Sequence, residues 1–389
     1  MLKKIIRQSH LWIGIASGFI VFILGITGCI LTFVEEIKPV VYSDHYFVDV
    51  ASMDPIGVPK KSPSITALLE VAKQHWGPDK PVSALEVEND PQRTWHFRSF
   101  EEDNNEGIWY WNEKKYYESL YVNPYTGVVL RSEDSEFEFF RFILYVHWSL
   151  LLKTDIGQPI IGVATLCFVF LLLTGLYLWW PKNKKANRVR FWFRWKKGMS
   201  IKRKNYDLHS ILGFYSISIS LIIGLTGMIW AFPWFDESVQ SLLNKIGEQD
   251  QRQAKSIVVP KENTIADKID VYESIYTDVQ QKYPTARGYY FYFPRKPKAP
   301  VNVVVRYAKS YQSLVRQYDS NNGTLINSNG FSSKDNGQKM RILTYDLHLG
   351  SILGLPGKVI VFLASLVAAS MPITGLYIWL NRKKRLTKK

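Results

Sequence analysis

A chain of 389 residues is long enough for two or three soluble domains, and its 49 Lys and Arg against 34 Asp and Glu give a formal charge of +15. A balance this basic points first to nucleic acid. The placement of the charge excludes that reading: residues 1–9, 181–206 and 381–389 hold 20 of the basic residues and no acidic one, leaving 29 basic against 34 acidic elsewhere.

The apolar residues are just as segregated. Residues 11–34, 156–180, 208–235 and 359–380 form stretches of 24, 25, 28 and 22 residues without a charged side chain, and the only group in the third that titrates near neutral pH is His209. Each exceeds the roughly 20 residues that span a hydrocarbon core, and helices of a soluble core rarely run this long uncharged. The predicted fold class is therefore membrane α-helical: four transmembrane helices in two pseudo-repeats, each with an exported α+β domain. Basic residues flanking spans mark the cytoplasmic side. Both termini and the basic loop are thus expected in the cytoplasm and the two long segments outside, in the periplasm if the source is a double-membrane bacterium. That makes a multi-pass inner-membrane protein whose basic loop meets anionic membrane lipid. Cys29 and Cys167 both fall in spans, so the exported segments have no disulfide framework. Ile26-Thr27-Gly28-Cys29 resembles a lipoprotein cleavage site, but Leu225-Thr226-Gly227-Met228 repeats the pattern without a cysteine, which favours helix packing.

In chain order the predicted parts are a first span (1–38), an exported domain (39–140), an interfacial segment with the second span (141–182) and a basic loop (183–206). A third span (207–235), a second exported domain (236–340) and a last segment with interfacial stretch, fourth span and basic tail (341–389) follow. The first and second halves align at offsets near 200. His10 matches His209, Gly14 matches Gly213, Gly25-Ile26-Thr27-Gly28 matches Gly224-Leu225-Thr226-Gly227, and Thr174-Gly175-Leu176-Tyr177 matches Thr374-Gly375-Leu376-Tyr377. Small residues in spans suit close helix approach. Trp179, Trp180, Trp192, Trp195 and Trp379 fit an inner interfacial belt, Trp230 and Trp234 an outer one.

In the first exported domain a helix is expected over 64–75 with Ser64 as N-cap, then strands near 82–87, 94–100, 107–111, 116–122 and 128–130. In the second, a helix over 265–282 precedes strands near 288–293, 301–308, 313–318 and 324–326. Each domain is expected to be a separate unit of one helix on its own antiparallel sheet. Short apolar helices over 137–152 and 340–355, lying at or dipping into the outer surface, carry His147 and His348.

Of seven histidines, His45, His75 and His96 lie in the first exported domain without counterparts and read as structural. His10, His209, His147 and His348 sit at span ends as matched pairs. Ionisable groups at a bilayer are expensive and usually functional, and neutral imidazole is the axial ligand of haem iron. Interfacial histidines reaching for headgroups are the alternative. If topology sets the pairing, His10 and His209 bind one haem iron at the cytoplasmic side, and His147 and His348 bind another at the periplasmic side. Gly14 and Gly213, one turn inward, would leave room for a flat macrocycle. Two histidines under-coordinate zinc, and no GxGxxG or GxxxxGK[ST] occurs, so no NAD, FAD or ATP motif is present.

Tyr121-Val122-Asn123-Pro124-Tyr125-Thr126-Gly127-Val128-Val129-Leu130 after a helix and strand resembles a PepSY domain. His10 with Gly25–Gly28, Thr174–Tyr177, and Val146-His147-Trp148-Ser149-Leu150-Leu151 resemble the PepSY-associated transmembrane family. The resemblance covers nearly the whole chain. It implies an iron-regulated, di-haem b oxidoreductase that passes electrons from a cytoplasmic donor protein or a quinol to a ferric siderophore, reducing Fe(III) to Fe(II). The flavodoxin or reductase module that some relatives carry after the last span is not seen before Lys389. Two other classes are carried: a PepSY-type sensor that controls a peptidase, and a transporter component.

Overall fold

The computed structural model describes residues 1–48, 63–103, 105–181, 190–246 and 270–386. Its helices, in chain order, are α1 (Leu2–Thr32), α2 (Val34–Val41), α3 (Ser43–Tyr46), α4 (Ile65–Trp76), α5 (Phe139–Ser149), α6 (Thr154–Trp179), α7 (Ile201–Asp207), α8 (Gly213–Ala231), α9 (Pro233–Ile246), α10 (Val271–Lys282), α11 (Asn336–Leu349) and α12 (Leu355–Leu386). The strands are β1 (Ala84–Glu88), β2 (Trp95–Glu102), β3 (Lys114–Val122), β4 (Val129–Asp134), β5 (Gly288–Tyr292), β6 (Val301–Arg306), β7 (Leu314–Tyr318) and β8 (Leu325–Asn329). These form two compact units: Met1–Val34, Phe142–Val239 and Thr344–Lys389 in one, Glu35–Arg141 and Gln240–Leu343 in the other.

The first unit is helical. Four stretches are long and apolar enough to cross a membrane: Leu2–Thr32, Thr154–Trp179, Ile201–Ala231 and Leu355–Arg382. The chain is a membrane protein. Here α1 packs on α6 and α12, and α8 packs on the same two helices, which closes a ring of four. Two glycines set the tightest crossings. A Cβ on Gly25 would stand 2.8 Å from the Ala369 backbone, and one on Gly224 2.9 Å from the Val169 side chain, so α1–α12 and α8–α6 approach closely only where the side chain is missing. The third span stops earlier than its apolar run. Phe232 turns extended (φ −129, ψ 108) and Pro233, which has no N–H to give to an ongoing helix, opens α9.

The second unit corrects one expectation. The two long segments between spans do not build separate sheets: their strands form a single eight-stranded antiparallel sheet in the order β4-β3-β2-β1-β5-β6-β7-β8. The join is β1 against β5, with Leu85 opposite Phe291 and Glu86 opposite Tyr290. A four-stranded sheet ending at β1 would expose a row of unpaired N–H and C=O groups; pairing with β5 satisfies them. Alternation along each strand puts Leu85, Val87, Phe97, Leu120, Phe291 and Val303 on one face, in a core shared with Leu68 of α4 and Ile275 of α10. The helices also cap each other. Ser64 accepts from the Ala67 N–H at 3.1 Å, the Ile65 N–H donates to Glu273 of α10 at 2.8 Å, and Thr66 donates to Asp270.

Other boundaries move little, with two exceptions. The strand expected over 107–111 is instead a 3-10 turn, Tyr110–Asn112, because the Asn112 side chain accepts from the Trp109 N–H and the Tyr110 hydroxyl donates to the Glu136 carbonyl at 2.9 Å. The helix expected over 265–282 is seen as Val271–Lys282; residues 265–269 lie outside the described residues. Likewise the basic loop and tail are described only over 190–206 and up to residue 386.

The opposite face of the sheet is charged. Glu86 takes Arg98 at 2.8 Å and Arg306 at 2.5 Å, with His96 3.7 Å away, and Arg306 also reaches Glu88 at 2.7 Å. Burial pushes the Glu86 carboxyl up, but His96, Arg98 and Arg306 together hold it well below the usual range. Burial, aided by the Arg98 charge, pushes the His96 imidazole down to about 3. His96 therefore stays neutral when folded and takes a proton near pH 6.5 when unfolded. The unfolded chain binds more protons between those values, so stability is full above about pH 6.5 and falls as pH drops towards 3. Glu86 adds loss in the same direction below its unfolded pKa of about 4.3. The opening free energy that protects the Phe97 and Leu120 amides, corrected for the intrinsic pH dependence of exchange, is expected to fall from pH 7.5 to 5, by at most about 1.4 kcal/mol per pH unit from His96, and His96→Phe is expected to flatten the slope above pH 5. A wild-type profile flat over that range contradicts this account.

Candidate cofactor site: four histidines on four Thr-Gly steps

The four span-end histidines share one geometry. The Nδ1 atom of His10 on α1 lies 2.9 Å from Thr174 Oγ1 on α6, and that of His209 lies 2.8 Å from Thr374 Oγ1 on α12. At the other end of the helical unit, His147 Nδ1 on α5 lies 2.8 Å from Thr27 Oγ1 on α1, and His348 Nδ1 on α11 lies 2.9 Å from Thr226 Oγ1 on α8. Every bond joins one helix to another.

The threonines decide which ring nitrogen carries hydrogen. Each hydroxyl has one proton, and each already donates it within its own helix: Thr27 to Ile23 O at 2.7 Å, Thr174 to Phe170 O at 2.9 Å, Thr226 to Ile222 O at 2.7 Å, Thr374 to Ser370 O at 2.9 Å. Towards histidine the oxygen can then only accept, so Nδ1 is the donor. The carbonyls of Leu24, Ile223 and Met371 lie within hydrogen-bonding reach of His147, His348 and His209 and can likewise only accept. With the proton on Nδ1, the Nε2 lone pair is free to bind a metal.

The glycine after each threonine makes room for the ring. A Cβ on Gly175 would stand 3.3 Å from His10 Cε1, and one on Gly375 3.3 Å from His209 Cε1; for Gly28 against His147 and Gly227 against His348 the distances are 3.5 and 3.6 Å. By contrast, Gly14 faces Leu171 and Gly213 faces Met371, and no histidine ring comes near either. Sequence reasoning thus assigned the Thr-Gly steps to helix packing alone and missed their part in the site. The signal was present: four Thr-Gly pairs recur at span ends, as many as the span-end histidines.

The structure brings His147 and His348 together, ring centroids 6.3 Å apart and planes at 76°. His10 and His209 are close enough to act on one another electrostatically. A metal bonded at about 2 Å to an Nε2 on each side would set two imidazole centroids roughly 6 Å apart, which matches the pair at 6.3 Å. Among the described residues, no group of three or more His, Cys, Asp or Glu gathers as a metal shell. At this end the structure brings together the two imidazoles of His147 and His348, a donor pair that suits a metal arriving with its remaining ligands, as in haem.

A family described as the PepSY-associated TM region matches residues 7–382. The chain belongs to this family. The matched range takes in all four histidines and all four Thr-Gly steps of this PepSY-associated chain. Comparison with curated proteins gives no match.

Local backbone supports each histidine differently. His209 lies in a π-helical turn, Leu208–Leu212, whereas α1 runs unbroken through His10; π turns inside helices are frequent at functional sites. After His147 the chain reverses through Leu150 and Leu151, both left-handed (φ 56 and 64), while the turn after His348 uses Gly350 (φ 76). Side chains other than glycine adopt this region at a cost of about 1–2 kcal/mol. Two of the tryptophans expected in interfacial belts pack on neighbouring rings: Trp230 lies 5.0 Å from the His348 ring, and buried Trp179 stacks on Phe214 at 3.8 Å. The remaining histidines lie in the sheet unit, His45 against Tyr121, His75 on Ser132 and His96 beside Glu86.

In cofactor-free protein, nitrogen-15 spectra are expected to place all four span-end imidazoles in the Nδ1–H form. Thr174→Val should return the His10 ring to a mixture of tautomers, while Thr174→Ser keeps the Nδ1–H form. Gly175→Val should displace the His10 ring more than Gly175→Ala does. An Nε2–H form in the wild type is the contrary outcome.

Proposed function

We propose that the chain is a di-haem b reductase of the bacterial inner membrane that delivers electrons to a ferric siderophore. The observation that carries this reading is the His147–His348 separation of 6.3 Å, with both Nδ1 atoms committed to threonine. Family membership supports the same reading. The sensor and transporter readings give these paired, tautomer-fixed imidazoles no task.

When bound, haem supplies a one-electron carrier at each end of the helical unit. The chain's own residues do the rest. His10 with His209, and His147 with His348, would supply Nε2 ligands. The four threonines hold the ring planes and keep Nδ1 protonated, which prevents the wrong nitrogen from facing the metal. The packed helices exclude water around the rings. In the overall reaction one donor electron converts Fe(III) to Fe(II). The donor is an external cytoplasmic protein or a quinol, and the acceptor is met on the periplasmic side, with both termini in the cytoplasm.

Purified protein from haem-replete cells is expected to show a Soret band and two haems per chain. His10→Ala and His209→Ala should each lose one haem, and His147→Ala and His348→Ala the other. Dithionite-reduced protein should be reoxidised by a ferric hydroxamate with Fe(II) trapped by ferrozine, and any single His→Ala variant should slow this at least tenfold. Colourless wild-type protein sinks the proposal, and haem-replete protein that reduces no ferric chelate sinks its substrate.

A further inference from the structure

The segment between the second and third spans carries a separate observation, independent of any haem. It is pinned to the helix ends. Arg190 donates to the Trp179 carbonyl, the Phe191 ring meets Trp179 at 5.0 Å and Phe214 at 5.3 Å edge-on, and the Tyr215 hydroxyl donates to the Phe191 carbonyl at 3.0 Å. Past this anchor the character changes. Trp192 is 68% exposed, and Phe193, Trp195 and Ile201 are exposed too. Interleaved with them are exposed Arg194, Lys196, Lys197, Lys202 and Arg203. Among the described residues only Arg203 of these cations has an ion pair, with Asp207 at 3.0 Å, and Asp207 is the first acidic residue after Arg190. Lys204 stands over the Trp195 ring at 5.7 Å.

Three large aromatic rings left in water are unfavourable, and contiguous exposure of this kind marks a contact surface. The composition says which contact. Indole rings at a span end sit at the headgroup level, and unpaired cations beside them attract anionic lipid at roughly fivefold in affinity per charge. An acidic protein would answer the cations but not the alternation of rings with charges, nor its anchorage at the ends of two spans. We propose that residues 190–204 bind anionic phospholipid headgroups in the leaflet at the His10 and His209 end of the helices, with Trp192, Phe193 and Trp195 seated between the headgroups and the cations on their phosphates.

The test uses the full chain in phosphatidylcholine vesicles containing a minor fraction of phosphatidylglycerol, with spin-labelled versions of each lipid reporting association. Wild-type protein is expected to prefer phosphatidylglycerol, less so at high salt. Combining Arg194→Gln, Lys196→Gln, Lys197→Gln and Lys202→Gln should reduce that preference at least fivefold. Because charge loss can also disturb insertion, Trp192→Ala with Trp195→Ala provides a second arm. It keeps every charge and should still weaken phosphatidylglycerol association. No preference in the wild type, or an unchanged one in both variants, overturns the proposal. Binding of an acidic soluble polypeptide without lipid preference overturns it in favour of a protein partner.

Discussion

The interaction on which the helical unit depends is the imidazole–threonine hydrogen bond, made four times. Each is an interhelical bond between partly buried groups, and each leaves a threonine shared between its own backbone carbonyl and a foreign ring. In an apolar bundle there is no hydrophobic gain in bringing helices together, so small residues and such polar contacts hold the register. The bond between α1 and α6, for instance, ties the first span to the second at one end, and α5 is tied back to α1 at the other. A slip of one residue along any of these helices would carry the threonine round to another face and strand a polar ring in lipid.

The sheet unit is governed by a different constraint, edge closure. Its two halves come from segments separated by two spans and the loop between them, yet β1 and β5 pair along their full lengths. The charged face then follows from that join. Glu86 and Glu88 come from the first segment, Arg306 from the second, so the ion pairs cross the seam. A buried pair of this kind contributes little net stability against apolar residues of the same shape, but removing one partner leaves a costly unpaired charge. These pairs favour the observed register, because a slip of β5 and β6 against β1 would part Arg306 from Glu86 and Glu88.

Much of this was legible in the residues because it rests on local pattern. Uncharged runs marked the four spans, Ser64 marked the start of α4, and strand-like runs marked eight strands near their observed places. What was not legible depends on partners distant in sequence. Nothing in Leu85 or Phe291 says that their strands are neighbours. The Gly107–Trp111 run has strand composition, and only Asn112 and Glu136, through their hydrogen bonds, turn it into a 3-10 turn. In the site, the histidines were visible as repeated ionisable groups at span ends. Their threonine partners were hidden because Thr-Gly in a span has an adequate explanation in packing, and Gly25 and Gly224 do serve packing in that way.

The two histidines at each end match in sequence but not in surroundings. Counted from the histidine, Asp207 stands where the first half has Gln8, and Asn205 where it has Ile6. Asn205 donates to the Thr374 carbonyl at 2.9 Å, so Thr374, the partner of His209, is held from both its backbone and its hydroxyl. Buried Asp207 pairs with Arg203 at the mouth of the π turn. At the other end, Trp230 packs on His348, and the same position in the first half is Leu31. The residues around the two histidines at each end thus differ, and the two are not interchangeable. The second-half member of each pair carries extra polar or aromatic support, from Asn205 behind Thr374 at one end and from Trp230 against the His348 ring at the other.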